Sequence, residues 1–453
     1  MNIVILAAGQ GKRMYSSLPK VLHPLAGKPM LGHVLDTVKE VFPDARPCLV
    51  LGHGRATVQE YLEQHYPNVK TVNQAEQKGT GHAVQQALPN LHDDVCSLIL
   101  YGDVPLIQAS TLKDLLRLAQ DGTLAVLTQE LQNPTGYGRI LRNIDGEVTG
   151  IVEEKDATAE QKQIREINTG ILACPTKELR EWLTHLQPNN AQGEYYLTDI
   201  VGIAAKQGLP IRTMMPQFGF EVEGVNSRAQ LASLERTWQN YVAEQLLVQG
   251  VTLMDPHRID IRGHLSCSHD VVIDVGCIFE GEVEIASHAN IGPYCVIKDC
   301  QIGPNAQIKA FSHLEGAIVG ENAVIGPYAR LRPGTTVDQD AHIGNFVEVK
   351  NSHIGQGSKA NHLSYVGDAT VGMRVNIGAG TITCNYDGAN KHQTTIEDDA
   401  FIGSDTQLVA PVTVGRGATI GAGTTLTQDA PEDKLTISRT KQLSIEWQRP
   451  KKK

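Results

Sequence analysis

Apolar residues in the first half of the chain occur in short continuous runs that alternate with segments of helical spacing. The runs lie at residues 1–9, 47–52 and 95–103, and helical patterns lie between them at 29–38 and 81–88. This alternation predicts an α/β fold with a mainly parallel sheet that is covered on both faces. Because such sheets bind ligands beyond the carboxyl ends of their strands, the polar residues after each run are candidate site residues.

Residues 226–250 are predicted to form one helix. Its apolar residues recur at steps of three and four: Leu231, Leu234, Trp238, Tyr241, Val242 and Leu246. Gly250 can end the helix, and Asp255-Pro256 prevents its continuation. The sequence therefore predicts a helical linker at 226–250 between a domain at 1–225 and a second domain at 251–453.

Beyond residue 255 the apolar residues recur every six positions, a period that fits neither an α-helix nor an alternating strand. Two series carry the period: Ile325, Leu331, Val337, Ile343, Val349, and then Ile396, Ile402, Leu408, Val414, Ile420, Leu426. Such a repeat predicts a solenoid whose triangular coils each use three hexapeptides, with one aliphatic side chain per face pointing inward. Glycines that follow the aliphatic residues are expected to permit tight corners between the faces.

One polar insertion, residues 383–395, interrupts the series and must leave the stacked coils as an external loop. A plain surface excursion is one interpretation. Asn385, Tyr386 and Lys391 favour the other, in which the loop contacts a ligand or a neighbouring subunit, because these side chains are costly choices for a loop without function.

The composition of the 453-residue chain excludes several classes of protein. Its formal net charge of −10 argues against a protein that coats nucleic acid or anionic membrane, although a local basic cluster can still bind a small anion. No apolar run approaches the ~18 residues of a membrane-spanning helix, and the N-terminus resembles a buried strand rather than a secretory signal. The eight cysteines form no C-x-x-C pair, so we expect reduced thiols and a cytoplasmic protein without stable membrane insertion.

The sharpest local motif is the glycine loop, residues 9–14, which directly follows the first apolar run. Its small residues let backbone N–H groups approach a phosphate chain, and Arg13 and Lys20 supply positive charge for a triphosphate. The loop is not a Walker A motif, because no Gly-Lys-Ser/Thr occurs. It is not the dinucleotide fingerprint either, because Met14 stands where the third glycine is required.

Further polar groups follow the other runs. Asp103 ends the third run, where an aspartate is equally consistent with a helix cap and with a metal ligand. The amides and backbone donors of residues 74–81 suit the edge of a base. Polar clusters at 136–139, 153, 168–170 and 223–226 are of the kind that bind sugar hydroxyls.

Together these motifs resemble those of sugar-1-phosphate nucleotidyltransferases. The resemblance is carried by LAAGQGKRM, GTGHA at 79–83, YGDVPL, PTGYGRI, INTG, NAQGEYYLTD and EVEGVNSR. The hexapeptide region adds RLRPGTTV, GNFVEVK, NHLSYVGDA, NIGAGTITCNYDGANK and FIGSDTQLVAPV. Over nearly its whole length the chain is similar to the bacterial family of bifunctional N-acetylglucosamine-1-phosphate uridylyltransferases/glucosamine-1-phosphate N-acetyltransferases. The resemblance implies a Rossmann-like nucleotidyltransferase domain, a helical linker and a left-handed parallel β-helix.

The same resemblance implies two activities. The second domain would acetylate glucosamine 1-phosphate from acetyl-CoA, and the first would join N-acetylglucosamine 1-phosphate to UTP with Mg²⁺ and release pyrophosphate. The product, UDP-N-acetylglucosamine, feeds peptidoglycan and lipopolysaccharide synthesis. The family also forms homotrimers through the β-helix, with acetyl-transfer sites at subunit boundaries.

In the first domain, the resemblance implies that Arg13 and Lys20 stabilise phosphate charge and that Asp103 and Asn226 bind Mg²⁺. The uridine nucleotide and its sugar would be held, in addition, by Leu6, Ala7, Ala8, Gly9, Gln74, Gly79, Thr80, Tyr101, Gly138, Glu153 and Asn168. The family usually has threonine where this chain has Lys12, which adds charge beside the triphosphate.

In the second domain, the resemblance implies that His362 is the base that deprotonates the substrate amine, a role that suits imidazole near neutral pH. Asn385 and Tyr386 would orient the reacting centre. The residues implied for the amino-sugar phosphate are Arg332, Lys350, Tyr365, Asn376 and Lys391. Those implied for acetyl-CoA are Ala379, Asn385, Tyr386, Ser404, Ala422 and Arg439.

Two other functions stay open at this stage. A non-catalytic regulatory or assembly protein can join the same two kinds of domain, but its degenerate sites would be expected to lose the phosphate-binding cations or the metal ligands. A single-activity nucleotidyltransferase can use the β-helix only as a scaffold, for which His362, Lys350 and the 383–395 loop are unnecessary.

Overall fold

The computed structural model describes residues 1–438 and 441–450. The chain divides into two compact units, Met1–Trp238 and the residues from Gln239 onward. The first unit contains a nine-stranded sheet whose main path is Ile211–Met214, Leu124–Glu130, Glu166–Pro175, Cys96–Tyr101, Asn2–Ala7, Cys48–Leu51 and Lys70–Asn73. Strand Glu166–Pro175 is antiparallel to both neighbours, whereas the other pairs along this path are parallel. The mainly parallel sheet predicted from the alternating runs is thus confirmed.

Alternate residues of strand Asn2–Ala7 show why both faces of this sheet are covered. Ile3 and Ile5 belong to one apolar core, and Val4 and Leu6 belong to another, because successive side chains of a strand point to opposite faces. The covering helices are Met30–Val41, Arg55–His65, Thr80–Ala87, Ala109–Leu118, Thr176–Thr184 and Asp199–Lys206. A hairpin formed by Arg139–Arg142 and Val148–Val152 pairs with strand Glu166–Pro175.

A 21-residue helix spans Arg228–Val248. Leu234 is buried in an apolar cluster of the first unit, and Leu246 is buried in the core of the second. Neither this helix nor any other in the described part of the chain is long and apolar enough to cross a membrane. All eight cysteines are free thiols.

The second unit is a parallel β-helix. One face is an 11-stranded sheet made of Thr252–Leu253, Val272–Ile273, Asn290–Ile291, Gln307–Ile308, Val324–Ile325, His342–Asn345, Lys359–His362, Asn376–Ile377, Phe401–Ile402, Thr419–Ile420 and Leu435–Thr436. The other two faces share a 16-stranded sheet and are joined by the long strands Ile259–Cys267, Cys277–Ile285 and Val296–Ile302.

Beyond those long strands the two remaining faces separate. One continues through Ala317–Val319, Thr335–Val337, His353–Ile354, Ala369–Val371, Thr394–Ile396 and Val412–Val414. The other continues through His313–Glu315, Arg330–Leu331, Glu348–Lys350, Tyr365–Gly367, Ile382–Cys384, Gln407–Val409 and Thr425–Leu426. Each coil therefore contributes one short strand to each face.

The six-residue period corresponds to the interior of this β-helix. Every member of the two predicted series is buried, and all belong to one apolar core. Stacking keeps them in register, so that Ile325 pairs with Ile343, and Ile343 pairs with Ala360 of the next coil. The hexapeptide prediction is thus confirmed.

Glycine after these aliphatic residues serves coil stacking as well as the expected tight corners. At Gly344 a Cβ would lie 2.0 Å from the carbonyl oxygen of Asn361, so the close approach of the next coil excludes any side chain. Gly326, which follows Ile325, has a left-handed backbone with φ of 90°, as expected. Other left-handed positions are occupied by residues with side chains, such as Phe311 and Tyr328, at φ of 60° and 56°. Glycine therefore serves coil stacking at Gly344 and the left-handed backbone at Gly326.

We expect Gly344→Ala to lower the free energy of unfolding by about 1–3 kcal/mol, because the added methyl group overlaps Asn361. The same substitution inside helix Asp199–Lys206, Gly202→Ala, should raise it by about 0.4–1 kcal/mol. A Cβ at Gly202 meets only the carbonyl oxygen of Thr149, at 3.8 Å. Calorimetric unfolding of both variants measures the two effects, and an unchanged stability of Gly344→Ala would contradict the packing argument.

Candidate active sites

A cavity lies at the carboxyl ends of the parallel strands Asn2–Ala7 and Cys96–Tyr101. Its lining includes most of the residues assigned above to the nucleotide, namely Leu6, Ala7, Ala8, Gly9, Lys20, Gln74, Gly79, Thr80, Tyr101 and Asp103. Gln77 and Glu194 line it as well. Parallel strand pairing brings these distant parts of the chain together at one edge of the sheet.

The glycine loop accommodates a lysine side chain within the cavity wall. Gly11 has a left-handed backbone with φ of 60°, and a Cβ on it would lie 2.8 Å from the Cβ of Lys20. A Cβ on Gly9 would lie 3.9 Å from Lys20 Nζ. Lys12 and Arg13, by contrast, are exposed on the 3₁₀ turn that ends the loop and do not line the cavity. Of the two cations predicted to bind phosphate, only Lys20 therefore lines this cavity.

Lys20 is the electrostatic centre of this cavity. Its Nζ donates a short hydrogen bond to Oδ2 of Asp103 and a second one, 3.1 Å long, to Oδ1 of Asn226. The side chains of Lys20 and Asp103 are only 11% and 17% exposed. The two predicted magnesium ligands thus both accept a hydrogen bond from the ammonium of Lys20. Their carboxylate and amide oxygens are also of the kind that Mg²⁺ prefers as ligands.

The segment from Gln74 to Thr80 forms a tight wall of the cavity. Gln74 is buried, and its Nε2 donates to the carbonyl oxygen of Gly79 at 3.0 Å. Gly79 has φ of 110°, and a Cβ on it would lie 2.5 Å from the carbonyl oxygen of Tyr195, so only glycine fits. Thr80 Oγ1 accepts a hydrogen bond from the backbone N–H of Leu197 at 3.0 Å.

The residues assigned to the sugar form a contiguous group beside Tyr101. Asn168 donates its backbone N–H to the carbonyl oxygen of Gly138 at 2.9 Å. A Cβ on Gly138 would contact the carboxyl carbon of Glu153 at 3.4 Å, and a Cβ on Gly170 would overlap the ring of Tyr101 at 2.6 Å. Gly138, Glu153 and Asn168 therefore lie near one another, although none of them lines the cavity itself.

Burial raises the pKa of two acidic side chains in this group, Glu153 and Tyr101. It raises the pKa of the Glu153 carboxyl, an effect that the hydrogen bond from Thr198 partly opposes. Burial also raises the pKa of Tyr101, and the carboxylates of Glu153 and Asp103 raise it further. The phenol of Tyr101 therefore stays protonated and can donate a hydrogen bond.

In the β-helix, His362 is oriented by a residue one coil away. Parallel pairing sets Asn345 opposite His362, and Asn345 Oδ1 lies 2.8 Å from His362 Nδ1. An amide oxygen can only accept, so Nδ1 carries the proton and Nε2 of the exposed imidazole is left as the acceptor. This is the arrangement that a general base requires.

Three residues assigned to acetyl-CoA lie at the position equivalent to His362 on the following coils. The backbone of Gly380 donates to Leu363, which sets Ala379 beside His362 in register. Asp405 donates its N–H to Ala379 at 2.7 Å, and Gly423 donates to Ser404 at 2.8 Å. Ala379, Ser404 and Ala422 therefore share one edge of the β-helix. Arg439, the remaining residue of that prediction, lies outside the described residues.

A cluster of cations lies where the polar insertion meets the coils. The ammonium of Lys391 beside Lys350 lowers the pKa of Lys350, and Arg332 adds a smaller effect of the same sign. Arg332 itself pairs with Glu348 at 2.9 Å. Because these like charges repel one another, a bound phosphate anion would relieve the repulsion.

Asp368 connects this cation cluster to the insertion. Its carboxylate accepts hydrogen bonds from Nδ2 of Asn385 and, at 2.6 Å, from Nδ2 of Asn351. Burial raises the pKa of Asp368, but these two hydrogen bonds, with smaller effects of Lys391 and Lys350, outweigh it and lower that pKa. Asn385 also reaches the hydroxyl of Tyr365 at 3.5 Å.

Two predicted residues lie apart from this cluster. Tyr386 is 61% exposed on the insertion, and its hydroxyl donates to the carbonyl oxygen of Gly388 at 2.6 Å. Asn376 belongs to the face that carries His362, whereas Lys350 belongs to a neighbouring face. The structure thus brings Arg332, Lys350, Tyr365, Asn385 and Lys391 to one region of the β-helix and leaves Asn376 on another face.

Sequence reasoning missed Asn345 and Asp368. Asn345 is 17 residues from His362, and Asp368 is 17 residues from both Asn351 and Asn385. That spacing is one coil of the β-helix, one residue short of three ideal hexapeptides. Searching for polar residues one coil before and after each candidate would have found both.

Comparison with known proteins agrees with this architecture. Residues 3–164 match the family of MobA-like NTP transferase domains. Segments 299–333, 316–351 and 393–428 match the bacterial transferase hexapeptide family of six repeats.

Full-length relatives carry both halves. Proteins named bifunctional protein GlmU are 61% identical in Ralstonia nicotianae, over all of this chain and 99% of that protein, and 60% identical in Azoarcus, over all of both chains. The relative of the same name in Herminiimonas arsenicoxydans is 58% identical over all of this chain and 99% of its own length. With identity of this level over its whole length, the chain belongs to the GlmU family of bifunctional proteins, in which a nucleotidyltransferase domain is joined to a hexapeptide β-helix.

Proposed function

We propose that the chain catalyses two consecutive steps of UDP-N-acetylglucosamine synthesis. The β-helix domain, residues 251–453, acetylates glucosamine 1-phosphate from acetyl-CoA. The domain at 1–225, joined to it by the linker at 226–250, then couples the product to UTP and releases pyrophosphate. The observation that carries the proposal is that each half of the chain assembles a polar site from distant segments, one around Asp103 and one around His362.

In uridylyl transfer, the phosphate oxygen of the sugar attacks the α-phosphorus while the bond to the pyrophosphate oxygen breaks. The protein supplies position and charge for this displacement rather than a covalent intermediate. Lys20 in the cavity wall and Arg13 on the exposed part of the loop stabilise phosphate charge. The backbone at 6–9 holds the nucleotide together with Gln74 and Thr80. Asp103 and Asn226 offer the oxygen ligands that suit Mg²⁺, which when bound neutralises the charge of the triphosphate. Tyr101, Gly138, Glu153 and Asn168 hold the amino sugar.

In acetyl transfer, Nε2 of His362 removes a proton from the substrate ammonium. The free amine attacks the thioester carbonyl, the C–S bond breaks, and coenzyme A leaves as a thiolate, which takes up the proton that the acylated nitrogen loses. Lys350, Lys391 and Arg332 bind the phosphate of the sugar, and Tyr365 and Asn385 of the same region orient the sugar. Asn376 contacts the sugar from the face that carries His362. Ala379, Ser404, Ala422, Tyr386 and Arg439 contact coenzyme A.

We also propose that three copies associate through the β-helix in the cytoplasm. Tyr294, Phe311, Tyr328 and Phe346 stack on successive corners with ring centroids 5.0–5.4 Å apart. Each ring is about half exposed, from 47% to 56%. Exposed apolar ladders of this kind mark association surfaces, and eight free thiols are typical of a reducing compartment.

Catalysis at both sites is better supported than the two rival functions. A degenerate regulator has no reason to retain Lys20, Asp103 and Asn226 in one cavity. A scaffold has no reason to retain the His362–Asn345 hydrogen bond or the cations around Lys350.

Asp103→Asn should lower uridylyl transfer by about a hundredfold or more, because it removes the carboxylate proposed to hold Mg²⁺. Pyrophosphate release from UTP and N-acetylglucosamine 1-phosphate measures this loss. The matched control is Asp114→Asn, which removes an exposed carboxylate that pairs with Arg117 on a surface helix. Loss of acetyl transfer in Asp103→Asn as well would contradict two separate sites.

His362→Gln should lower acetyl transfer by about 10²–10⁴-fold and leave pyrophosphate release unchanged, because only the proposed base is removed. Thiol release from acetyl-CoA measures the first reaction. His264→Gln, which alters an exposed histidine near the start of the β-helix, serves as the control. An unchanged thiol release in His362→Gln would exclude His362 as the base.

Asn345 provides a test of orientation rather than of charge alone. Asn345→Ala removes the acceptor that fixes the imidazole, so acetyl transfer should fall about 10–100-fold. Asn345→Asp keeps an oxygen acceptor and should restore much of the rate. Its negative charge favours the protonated imidazole, so the acidic limb of the pH–rate profile should move to higher pH. Identical rates of acetyl transfer and identical pH–rate profiles in the wild type, Asn345→Ala and Asn345→Asp would contradict the positioning role of Asn345.

A further inference from the structure

We propose that Lys20 is a built-in counter-cation that occupies the place between Asp103 and Asn226 and must leave before these ligands can accept a divalent cation. The inference rests on the proposed uridylyl transfer at this site. It assigns Lys20 a positioning role before the reaction, in addition to its role toward phosphate.

Contact geometry carries this inference. One ammonium hydrogen-bonds both the carboxylate of Asp103 and the amide oxygen of Asn226, which lies 206 positions further along the chain than Lys20. The lysine and aspartate side chains are largely buried, so water screens their attraction only weakly. A divalent cation bound by the same two oxygens would lie against this ammonium, and their like charges exclude joint occupancy.

The surroundings of Lys20 show where its ammonium can move. Nζ lies beneath the glycine loop, 3.9 Å from the position of a Cβ on Gly9, and both residues line the proposed nucleotide cavity. A triphosphate bound along the loop would therefore attract the ammonium away from the carboxylate. The long side chain can follow by rotation about its own bonds.

Two consequences follow for the order of binding. Without nucleotide, Lys20 neutralises Asp103 and keeps stray cations out of the site. With nucleotide, Lys20 turns to the phosphates and the two oxygen ligands become free for a divalent cation. Binding of the nucleotide and of the divalent cation should therefore reinforce each other, and removing the charge of Lys20 should weaken that coupling.

The test is Mn²⁺ binding to the full-length protein, measured by electron paramagnetic resonance with and without UTP and in the absence of sugar phosphate. Without UTP, Lys20→Met should bind Mn²⁺ at least tenfold more tightly than the wild type. UTP should improve the Mn²⁺ affinity of Lys20→Met by a smaller factor than it improves that of the wild type. Lys12→Met removes the same charge from the exposed part of the loop and should leave Mn²⁺ affinity within twofold of wild type. Lys20→Gln provides a second neutral variant, and thermal melting verifies that each variant is folded.

Equal Mn²⁺ affinity of the wild type and a folded Lys20 variant without UTP would overturn the inference. So would tight binding that persists in Lys20→Met/Asp103→Asn, because the cation would then lie elsewhere. Pyrophosphate release by the wild type is measured separately. Its absence would refute the proposed uridylyl transfer, whatever the Mn²⁺ affinities are, so the two failures can be distinguished.

Discussion

Parallel pairing of neighbouring strands is the constraint on which both candidate sites depend. In the first unit it brings the carboxyl ends of strands Asn2–Ala7 and Cys96–Tyr101 to one edge, where the glycine loop and Asp103 meet. In the second unit it stacks each coil on the last, so that a residue one coil away becomes a direct neighbour, as Asn345 is to His362. Because the strands themselves bury aliphatic side chains, the polar groups are confined to strand ends, corners and loops.

The two sites handle charge in opposite ways. In the cavity of the first unit, a lysine already neutralises the acid, and the hydrogen bonds to Asp103 and Asn226 satisfy its ammonium. In the β-helix, Lys350 and Lys391 face each other, and their mutual repulsion lowers the pKa of Lys350. One site is therefore balanced before a ligand arrives, while the other holds excess positive charge for an anion. This contrast is the one expected if the proposed function is correct, with a divalent cation used in the first half and a sugar phosphate bound in the second.

Much of the fold follows from local patterns. Alternating apolar runs predicted the mainly parallel sheet, and the six-residue period predicted the β-helix, because burial of side chains repeats with the geometry of each element. Glycine was harder to interpret, since Gly344 is required by the adjacent backbone of Asn361, a contact that no local pattern reveals. Asn345 and Asp368 were missed for the same reason, because their partners lie 17 residues away.

The sequence by itself determined the class of each half, the glycine loop, and the candidate charged residues, because these depend on residue type and short-range spacing. Only the tertiary structure decided how those residues are paired. It buried Lys20 against Asp103 and Asn226 while leaving Arg13 exposed, and it fixed the proton of His362 on Nδ1 through Asn345. These assignments depend on distances between strands and coils that are far apart along the chain, and such distances exist only once the apolar cores have formed.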